Sequence, residues 1–285
     1  MKIEFATPEN GLFLEAEKFV LPNEKKCCGL MQRILEKDKS IFLFRDNSNE
    51  LLAVISYNIR TRIVFHCIPQ TNKQLSTMFS KFFEKNHVYC ISGELYGTDF
   101  LQGIIAGLPL DRIDEVRDYN FMEFQSDDEP IEKTIGSHVI KKCGVDDADK
   151  LFDMHKDYVN IEVLPLSATI NLASERLNLE NILRTQTVFA IDNGKEYISK
   201  AHTNARGKNV VQIGGVFTKE QYRGKRYAGY LVRFIGKLYA TVGIKTVLFV
   251  KKTNRAAISS YSKAGFVLTG QYRITYFLAN STDLP

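Results

Sequence analysis

Hydrophobic residues in the second half of the chain fall into short runs that alternate with longer amphipathic stretches. The short runs predict strands at residues 139–143, 188–192, 197–203, 210–218 and 247–250. The longer stretches predict helices from Asp146 through Tyr158, near residues 173–184, and from Ala256. Another helix is predicted after residue 226, where apolar residues recur every three or four positions at Ala228, Leu231, Ile235, Leu238 and Val242. With a closing hairpin of residues 266–269 and 272–278, this half is expected to be an α/β domain whose mixed, largely antiparallel sheet is flanked by helices.

The first half repeats this order of elements more faintly. Strands are predicted at residues 41–44, 51–57, 62–68, 88–91 and 117–124, with helices after residue 73 and near residues 99–106. The first of these helices has one apolar face, formed by Leu75, Met78, Phe79, Phe82 and Phe83. Between the halves, Ser126–Pro130 is acidic and contains a helix breaker. A boundary is therefore expected between about 126 and 137, with domains at 1–130 and 131–285.

Composition fits two globular domains. The chain has 285 residues, of which 44% are hydrophobic, and that length can bury two cores. No apolar run approaches the ~18 residues of a membrane span, and the N-terminus lacks a signal-peptide pattern. We therefore expect a cytoplasmic protein with no membrane partner. The five Cys residues match neither a zinc spacing nor a disulfide framework, so buried reduced thiols and no metal are expected.

Positive charge is concentrated in the second half. Residues 138–285 hold 22 Lys/Arg and 12 Asp/Glu, whereas residues 1–137 hold 16 and 21. The basic residues are densest between residues 219 and 252, which suits a phosphorylated ligand. A solvated basic helix face explains part of this charge equally well, but not its concentration in the turn after residue 222.

That turn joins a strand directly to a helix. Val210–Thr218 leads through Tyr222 and the basic, glycine-containing residues 223–226 into the helix. A helix N-terminus presents free backbone N–H groups and a positive partial charge, so an anion is favoured there. Pyrophosphate is the natural candidate.

Two segments resemble motifs of the GNAT superfamily of N-acyltransferases. Arg223-Gly224-Lys225-Arg226-Tyr227-Ala228 is similar to the family's acyl-CoA loop, Gln/Arg-x-x-Gly-x-Gly/Ala, and residues 254–266 are similar to Asn-x-x-Ala-x-x-x-Tyr-x-x-x-Gly-Phe. The resemblance spans residues 138–280. It implies a GNAT-like fold, acetyl-CoA as cosubstrate, and transfer of an acetyl group to a primary amine of a small molecule or amino acid. Arg226 stands where the family has Gly, so either it has ordinary helical dihedrals with its side chain turned outward or it adds a phosphate contact.

The acyl-CoA site is predicted from the strand end, the turn and the resemblance. Gly214-Gly215 within a strand indicates a bulge or a close backbone approach, with tight packing as the alternative. The N–H of Val216 or Phe217 would then face the thioester oxygen. The predicted cofactor-binding residues are Val216, Phe217, Thr218, Arg223, Gly224, Lys225, Arg226, Tyr227, Ala228, Gly229 and Asn254.

For the catalytic groups, the resemblance assigns Tyr261 as the general acid that protonates the CoA thiolate. Tyr261 lies about two helical turns after Asn254, and burial against the sheet is the alternative interpretation. Asn254 is also expected to cap its helix. Glu162 is the first candidate for the base, because related sequences place this helix end over the acceptor site. An exposed carboxylate with no such role, His202, or water as proton acceptor remain alternatives.

The first half is interpreted as a degenerate GNAT-like domain that does not bind CoA, because its turn at residues 69–73 lacks Gly and has little positive charge. An unrelated α/β cap domain is the alternative. The whole chain is thus expected to hold tandem GNAT-like domains. The competing function is an acyl-CoA-binding sensor without turnover. Nucleic acid is not an expected partner, since Tyr222, Tyr227 and Tyr230 belong to the loop pattern and no recognised nucleic-acid motif is present; the sequence does not determine the oligomeric state.

Overall fold

The computed structural model describes residues 1–109, 111–165 and 167–279. The chain divides into two compact units. The first contains Met1–Tyr119 and the C-terminal residues from Gly270 onward, and the second contains Asn120–Thr269.

The helices and strands of the first half are β1 (Lys2–Phe5), α1 (Leu12–Val20), α2 (Cys28–Leu35), β2 (Ile41–Arg45), β3 (Leu51–Tyr57), β4 (Ile63–Cys67), α3 (Lys73–Phe83), β5 (Cys90–Glu94), α4 (Leu95–Ala106) and β6 (Asp111–Phe124). Those of the second half are β7 (Thr134–Ile135), β8 (His138–Cys143), α5 (Ala148–Tyr158), α6 (Leu172–Thr185), β9 (Val188–Asp192), β10 (Tyr197–Arg206), β11 (Val210–Thr218), α7 (Tyr227–Ala240), β12 (Lys245–Lys251), α8 (Arg255–Lys263) and β13 (Phe266–Ala279). A π-helical turn, Val159–Val163, extends α5.

Both units have the same sheet plan. In the first unit the strand order is β1-β2-β3-β4-β5, followed by residues of β13 and then of β6. In the second it is β7-β8-β9-β10-β11-β12, followed by residues of β6. Each unit has one parallel pair joined by a helix, β4 with β5 through α3 and β11 with β12 through α7, while the other registered pairs are antiparallel. The predicted mixed, largely antiparallel α/β fold is confirmed.

Helices cover both faces of each sheet. Neighbouring side chains along a strand point to opposite faces and therefore pack against different helices. In the first unit Leu43 and Val54 pack towards α1 and α2, whereas their neighbours Phe44 and Ile55 pack towards α3 and α4. In the second unit one core lies under α7 and α8 and another under α5 and α6. All five cysteines are buried, and none forms a disulfide bond.

The division between the units differs from the expected domain limits of 1–130 and 131–285. The chain passes from one unit to the other within β6 and again within β13. The acidic segment proposed as the boundary lies inside the second unit, where Asp127 forms ion pairs with Arg233 and Lys237 at 2.5 Å each. Acidic composition alone does not distinguish a linker from a segment held by basic partners.

Two smaller predictions about the elements were wrong, and one region was left without any prediction. The predicted closing hairpin is one continuous 14-residue strand, β13, because the residues from Gly270 onward pair with β5 instead of turning back. Helix α7 ends at Ala240, so Val242 lies beyond it and is 66% exposed. No elements were predicted before residue 41, where the structure has β1, α1 and α2.

A close approach in the first unit gives a direct test of its packing. The His66 ring lies over Gly93 and hydrogen-bonds to Thr98 Oγ1 at 2.8 Å; a Cβ on Gly93 would lie 2.1 Å from His66 Nε2. We expect Gly93→Ala to lower the free energy of unfolding by about 1–3 kcal/mol, the usual cost of overpacking. Urea denaturation measures this change. The control is Gly103→Ala in α4, where a Cβ meets no atom within 4 Å and a gain of up to ~1 kcal/mol is expected; equal midpoints for Gly93→Ala and wild type would contradict the packing.

Candidate functional site

The ladder between β10 and β11 is interrupted at Gly215. Lys200 is paired with Phe217 and His202 with Gly214, so Ala201 alone faces both Gly215 and Val216. Gly215 has a left-handed backbone, with φ of 60°, as the first residue of a common type of β-bulge requires. The bulge predicted from Gly214-Gly215 is therefore present, and it frees backbone groups from the regular ladder.

One buried side chain holds the Gly215 backbone. Lys200 Nζ donates to the Gly215 carbonyl oxygen at 3.1 Å. Desolvation raises the pKa of the partly buried Tyr158 to about 12, while the Gly215 backbone acts in the opposite direction. The carbonyl of one left-handed glycine is thus bound by a side chain.

Lys200 is an unusual residue at this place. It is 1% exposed, its Nζ lies 4.8 Å from the centre of the Tyr158 ring, and burial lowers its pKa to about 7. The carbonyl and the ring face favour the ammonium form, whereas desolvation opposes it. Both protonation states are therefore populated near neutral pH.

The nearby histidines are neutral. His202 Nδ1 donates to the Thr203 carbonyl at 2.9 Å, and burial, assisted by Lys200, lowers the pKa of His202 to about 3. Its ring covers Gly215 so closely that a Cβ there would lie 1.9 Å from Nε2. His155 contacts Glu175 Oε2 at 3.1 Å, and burial lowers its pKa, with Lys200 acting in the same direction. His202 is thus a buried core histidine whose Nδ1 has a hydrogen-bond partner.

The two predicted catalytic residues lie close enough to interact. Tyr261 on α8 is buried, and its pKa is raised by burial first and then by the negative potential of Tyr158 and Glu162. Glu162, in the π-helical turn, forms an ion pair with Lys251 Nζ at 3.0 Å. The Tyr261 ring also packs on Phe266, with centroids 6.4 Å apart. Burial in the core, the alternative interpretation of Tyr261, therefore applies to this residue.

Helix α7 begins with an open N-terminus. Its N-cap, Arg226, makes no side-chain capping bond and has φ of 67°. The interpretation that gave Arg226 ordinary helical dihedrals is therefore wrong, because this position needs a left-handed backbone, which Arg adopts at a cost of roughly 1–2 kcal/mol. Gly224 is also left-handed, at φ of 78°. The exposed residues 223–226 surround a helix end whose amides have no side-chain cap.

The other predicted cofactor-binding residues form a buried group and a partly buried group. Phe217, Tyr227 and Gly229 are buried, the last against Ser260 of α8, so any contact they make with a ligand is through the backbone. Val216, Thr218 and Ala228 are partly buried, and Thr218 Oγ1 lies 2.9 Å from Ser199 Oγ. Asn254 caps α8 by accepting from Ala257 N at 3.0 Å, which confirms the expected cap.

Sequence reasoning missed Tyr158, Lys200 and Lys251. A signal for Lys200 exists, since it is the one charged residue among the otherwise uncharged residues 197–203. Nothing in the local pattern distinguishes Tyr158 or Lys251, because their roles depend on contacts with residues far away in the sequence. Groups with shifted pKa values that cluster in one region are typical of functional sites.

Residues 158–266, which contain the bulge, the open helix end and Tyr261, match the model of the acetyltransferase (GNAT) family. This segment therefore has the sequence pattern of a GNAT acetyltransferase domain. It includes every predicted site residue, and the family it matches supports acyl transfer. No curated protein matches the sequence.

Solved structures extend the likeness beyond the GNAT domain. A protein from Drosophila aligns with a TM-score of 0.68 at 12% identity, covering 98% of this chain and 99% of its own. A GNAT-family acetyltransferase from Colwellia psychrerythraea gives 0.61 at 12% identity, with coverage of 98% and 100%. A GCN5-related N-acetyltransferase from Sphaerobacter thermophilus gives 0.59 at 13% identity, with coverage of 92% and 95%. At these identities the likeness shows the fold, which is consistent with the predicted tandem GNAT-like domains.

Two other classes of site, a membrane-spanning helix and a metal-binding group, are absent from the part of the chain that the structure describes. Within residues 1–109, 111–165 and 167–279, no helix combines the length and apolar character needed to cross a bilayer. The same ranges contain no group of three or more His, Cys, Asp or Glu side chains placed to bind a metal ion.

Substitutions at the two adjacent glycines test the bulge. In Gly215→Ala a left-handed residue gains a Cβ that would lie 1.9 Å from His202 Nε2. We expect a loss of about 2–4 kcal/mol in the free energy of unfolding, from backbone strain and overpacking together. The comparison is Gly214→Ala, whose Cβ would lie 2.8 Å from Asn204 Cβ but whose backbone is not left-handed, so a smaller loss is expected. Chemical denaturation of both variants should show the larger loss for Gly215→Ala, and the reverse order would contradict the bulge assignment.

Proposed function

We propose that the GNAT domain transfers an acetyl group from acetyl-CoA to a primary amine of a small molecule or amino acid. The observation that carries the proposal is the adjacency along the chain of the Gly215 bulge and the open, basic N-terminus of α7. The first offers backbone groups to a carbonyl, and the second offers backbone amides to an anion. An acyl-CoA has a thioester carbonyl and a pyrophosphate.

The residues present fit such a cosubstrate. Arg226 and Gly224 have the left-handed backbone that bends the chain at the helix start, and no side chain caps the amides that follow. Arg223 precedes them in the turn, and its Nε donates to Thr218 O at 3.1 Å. These features would bind the pyrophosphate, and the cosubstrate, when bound, would supply an acyl group activated as a thioester.

The proposed catalytic roles follow from the proton balance of the reaction. An attacking amine must lose a proton, and a departing thiolate must gain one. We assign the second task to the Tyr261 hydroxyl, whose raised pKa keeps it protonated at neutral pH. Glu162 is assigned the first, and its ion pair with Lys251 fixes its place near Tyr261. Backbone N–H groups at Val216 or Phe217 would polarise the carbonyl.

The first unit is proposed to bind no CoA. Helix α3, which corresponds to α7, has its N-terminus capped by the Asn72 side chain, which accepts from Leu75 N at 2.7 Å. In place of a glycine bulge, the buried His66 ring fills the space over Gly93 and Gly97 next to β5. Density for CoA at residues 70–73 in a complex would overturn this assignment.

Mass spectrometry distinguishes an enzyme from an acyl-CoA-binding sensor. The purified protein is incubated with acetyl-CoA and a mixed panel of amines, and products are analysed. The proposal expects an acetylated amine and free CoA. Retention of acetyl-CoA with no acetylated product would instead indicate a sensor.

Calorimetry on Arg223→Glu tests the binding site. Reversing the charge beside the helix N-terminus should weaken acetyl-CoA binding at least tenfold, since charge-assisted bonds to phosphate are among the strongest polar contacts. The control is Arg184→Glu on α6, an exposed residue with the same change of charge. Unchanged affinity in Arg223→Glu would refute the placement of the pyrophosphate.

Kinetics of Tyr261→Phe separate binding from chemistry. The change keeps the ring in the core and removes only the hydroxyl, so acetyl-CoA affinity should barely change. Turnover of the best amine found in the panel should fall by about 10²-fold or more, as expected when a positioned acid is lost. Tyr239→Phe is the control, because Tyr239 is a buried tyrosine of the same unit whose hydroxyl contacts Thr187 Oγ1 at 3.3 Å. Full turnover by Tyr261→Phe would exclude the acid role.

A further inference from the structure

The amino group of Lys200 contacts the one residue whose conformation shapes the bulge. We propose that Lys200 is a positioning residue of the transfer reaction: its hydrogen bond to the Gly215 carbonyl fixes the peptide groups of the bulge in the orientation that binds the acyl carbonyl. This inference rests on the proposed acyl transfer. It adds to that function a residue on a different strand, β10, which the loop and helix motifs do not include.

The Gly215 backbone lies outside the regular ladder. An extra residue in a bulge is left without its regular ladder partner, and a buried peptide group without a partner is costly. Here the carbonyl is bound by Lys200 Nζ at 3.1 Å. A side chain therefore replaces the ladder at this carbonyl. Because the peptide after Gly215 carries both its carbonyl and the Val216 N–H, holding the carbonyl also sets the direction of that N–H.

A buried lysine at this position lowers the stability of the fold. Among the described residues, no carboxylate forms a salt bridge with Lys200; the titratable groups around it are Tyr158 and His155 from α5 and its strand neighbour His202. A buried amine without a counter-ion destabilises the fold relative to an apolar side chain of similar length. Lys200 therefore contributes little through packing that a methionine would not supply. What only the amino group supplies is the hydrogen bond to Gly215.

The size of the expected loss of turnover depends on how closely the donors must point at the developing charge. Preorganised donors act on a developing charge only when they point at it, and a displacement of about 1 Å can cost roughly 10²-fold in rate. Gly215 can move, since glycine has wide backbone freedom. Loss of the Lys200 contact is therefore expected to lower turnover while leaving the binding of the CoA nucleotide, at the α7 N-terminus, unchanged.

The test compares Lys200→Met with Lys200→Gln. Methionine fills the space without a donor, whereas glutamine keeps an uncharged N–H donor that can reach a carbonyl. Hydrogen–deuterium exchange of residues 213–218 is followed on the full chain without ligand, acetyl-CoA affinity by calorimetry, and turnover with acetyl-CoA and the best amine of the panel. In Lys200→Met, exchange should be at least about tenfold faster and kcat about 10- to 10²-fold lower, with acetyl-CoA affinity within about threefold of wild type. Lys200→Gln should restore exchange and kcat to within about threefold of wild type.

Each other outcome is decisive. Equal loss of kcat in both variants would overturn the positioning role. It would indicate instead that the Lys200 amine accepts a proton in the reaction, which an amide cannot do. Unchanged exchange in Lys200→Met would overturn it as well. If Lys200→Met fails to fold, Lys200→Leu removes the same donor with a shorter apolar side chain and should accelerate exchange of the same segment; unchanged exchange there would refute the proposal. Faster exchange in Lys200→Met together with no acyl transfer by wild type would refute the proposed function and establish Lys200 as the residue that shapes the bulge.

Discussion

The second unit depends on one interruption of its sheet, the bulge at Gly215. An unbroken ladder between β10 and β11 would hold the backbone groups of β11 that face β10 in regular pairs. The left-handed glycine breaks the ladder, and Lys200 Nζ binds the Gly215 carbonyl. The His202 ring then covers Gly215, and this contact excludes any residue with a Cβ at this position. The position of the bulge thus determines which buried polar side chains must surround it.

The two units show what separates a shared fold from a site. Both have a parallel strand pair joined by a helix, β4 with β5 and β11 with β12. In the first unit the joining helix is capped by Asn72 and the neighbouring space is filled by His66. In the second the helix is uncapped and the preceding strand is bulged. The two units therefore differ in whether the protein's own side chains already bind the backbone amides at the start of the joining helix.

Buried polar residues in the second unit are arranged so that few are charged. Burial keeps His202 neutral and Tyr158 and Tyr261 protonated, and it brings Lys200 to the point where both of its forms are populated. Glu162 forms an ion pair with Lys251 Nζ at 3.0 Å. A region that holds several proton-carrying groups with little net charge is suited to proton transfer, since a fixed buried charge would bias each group strongly towards one state.

The sequence by itself determined most strands and helices of the second half, the bulge at Gly214-Gly215, the basic turn and the cap at Asn254, because each depends on residues adjacent in the chain. The tertiary structure alone decided the exchange of chain between units within β6 and β13, the ion pairs that hold Asp127, and the meeting of Tyr158, Lys200 and Gly215. It also decided that Arg226 takes the left-handed backbone usual for glycine. Local periodicity reports which face of an element is apolar, whereas a contact between distant residues depends on how the elements pack, and no short stretch of sequence contains that information.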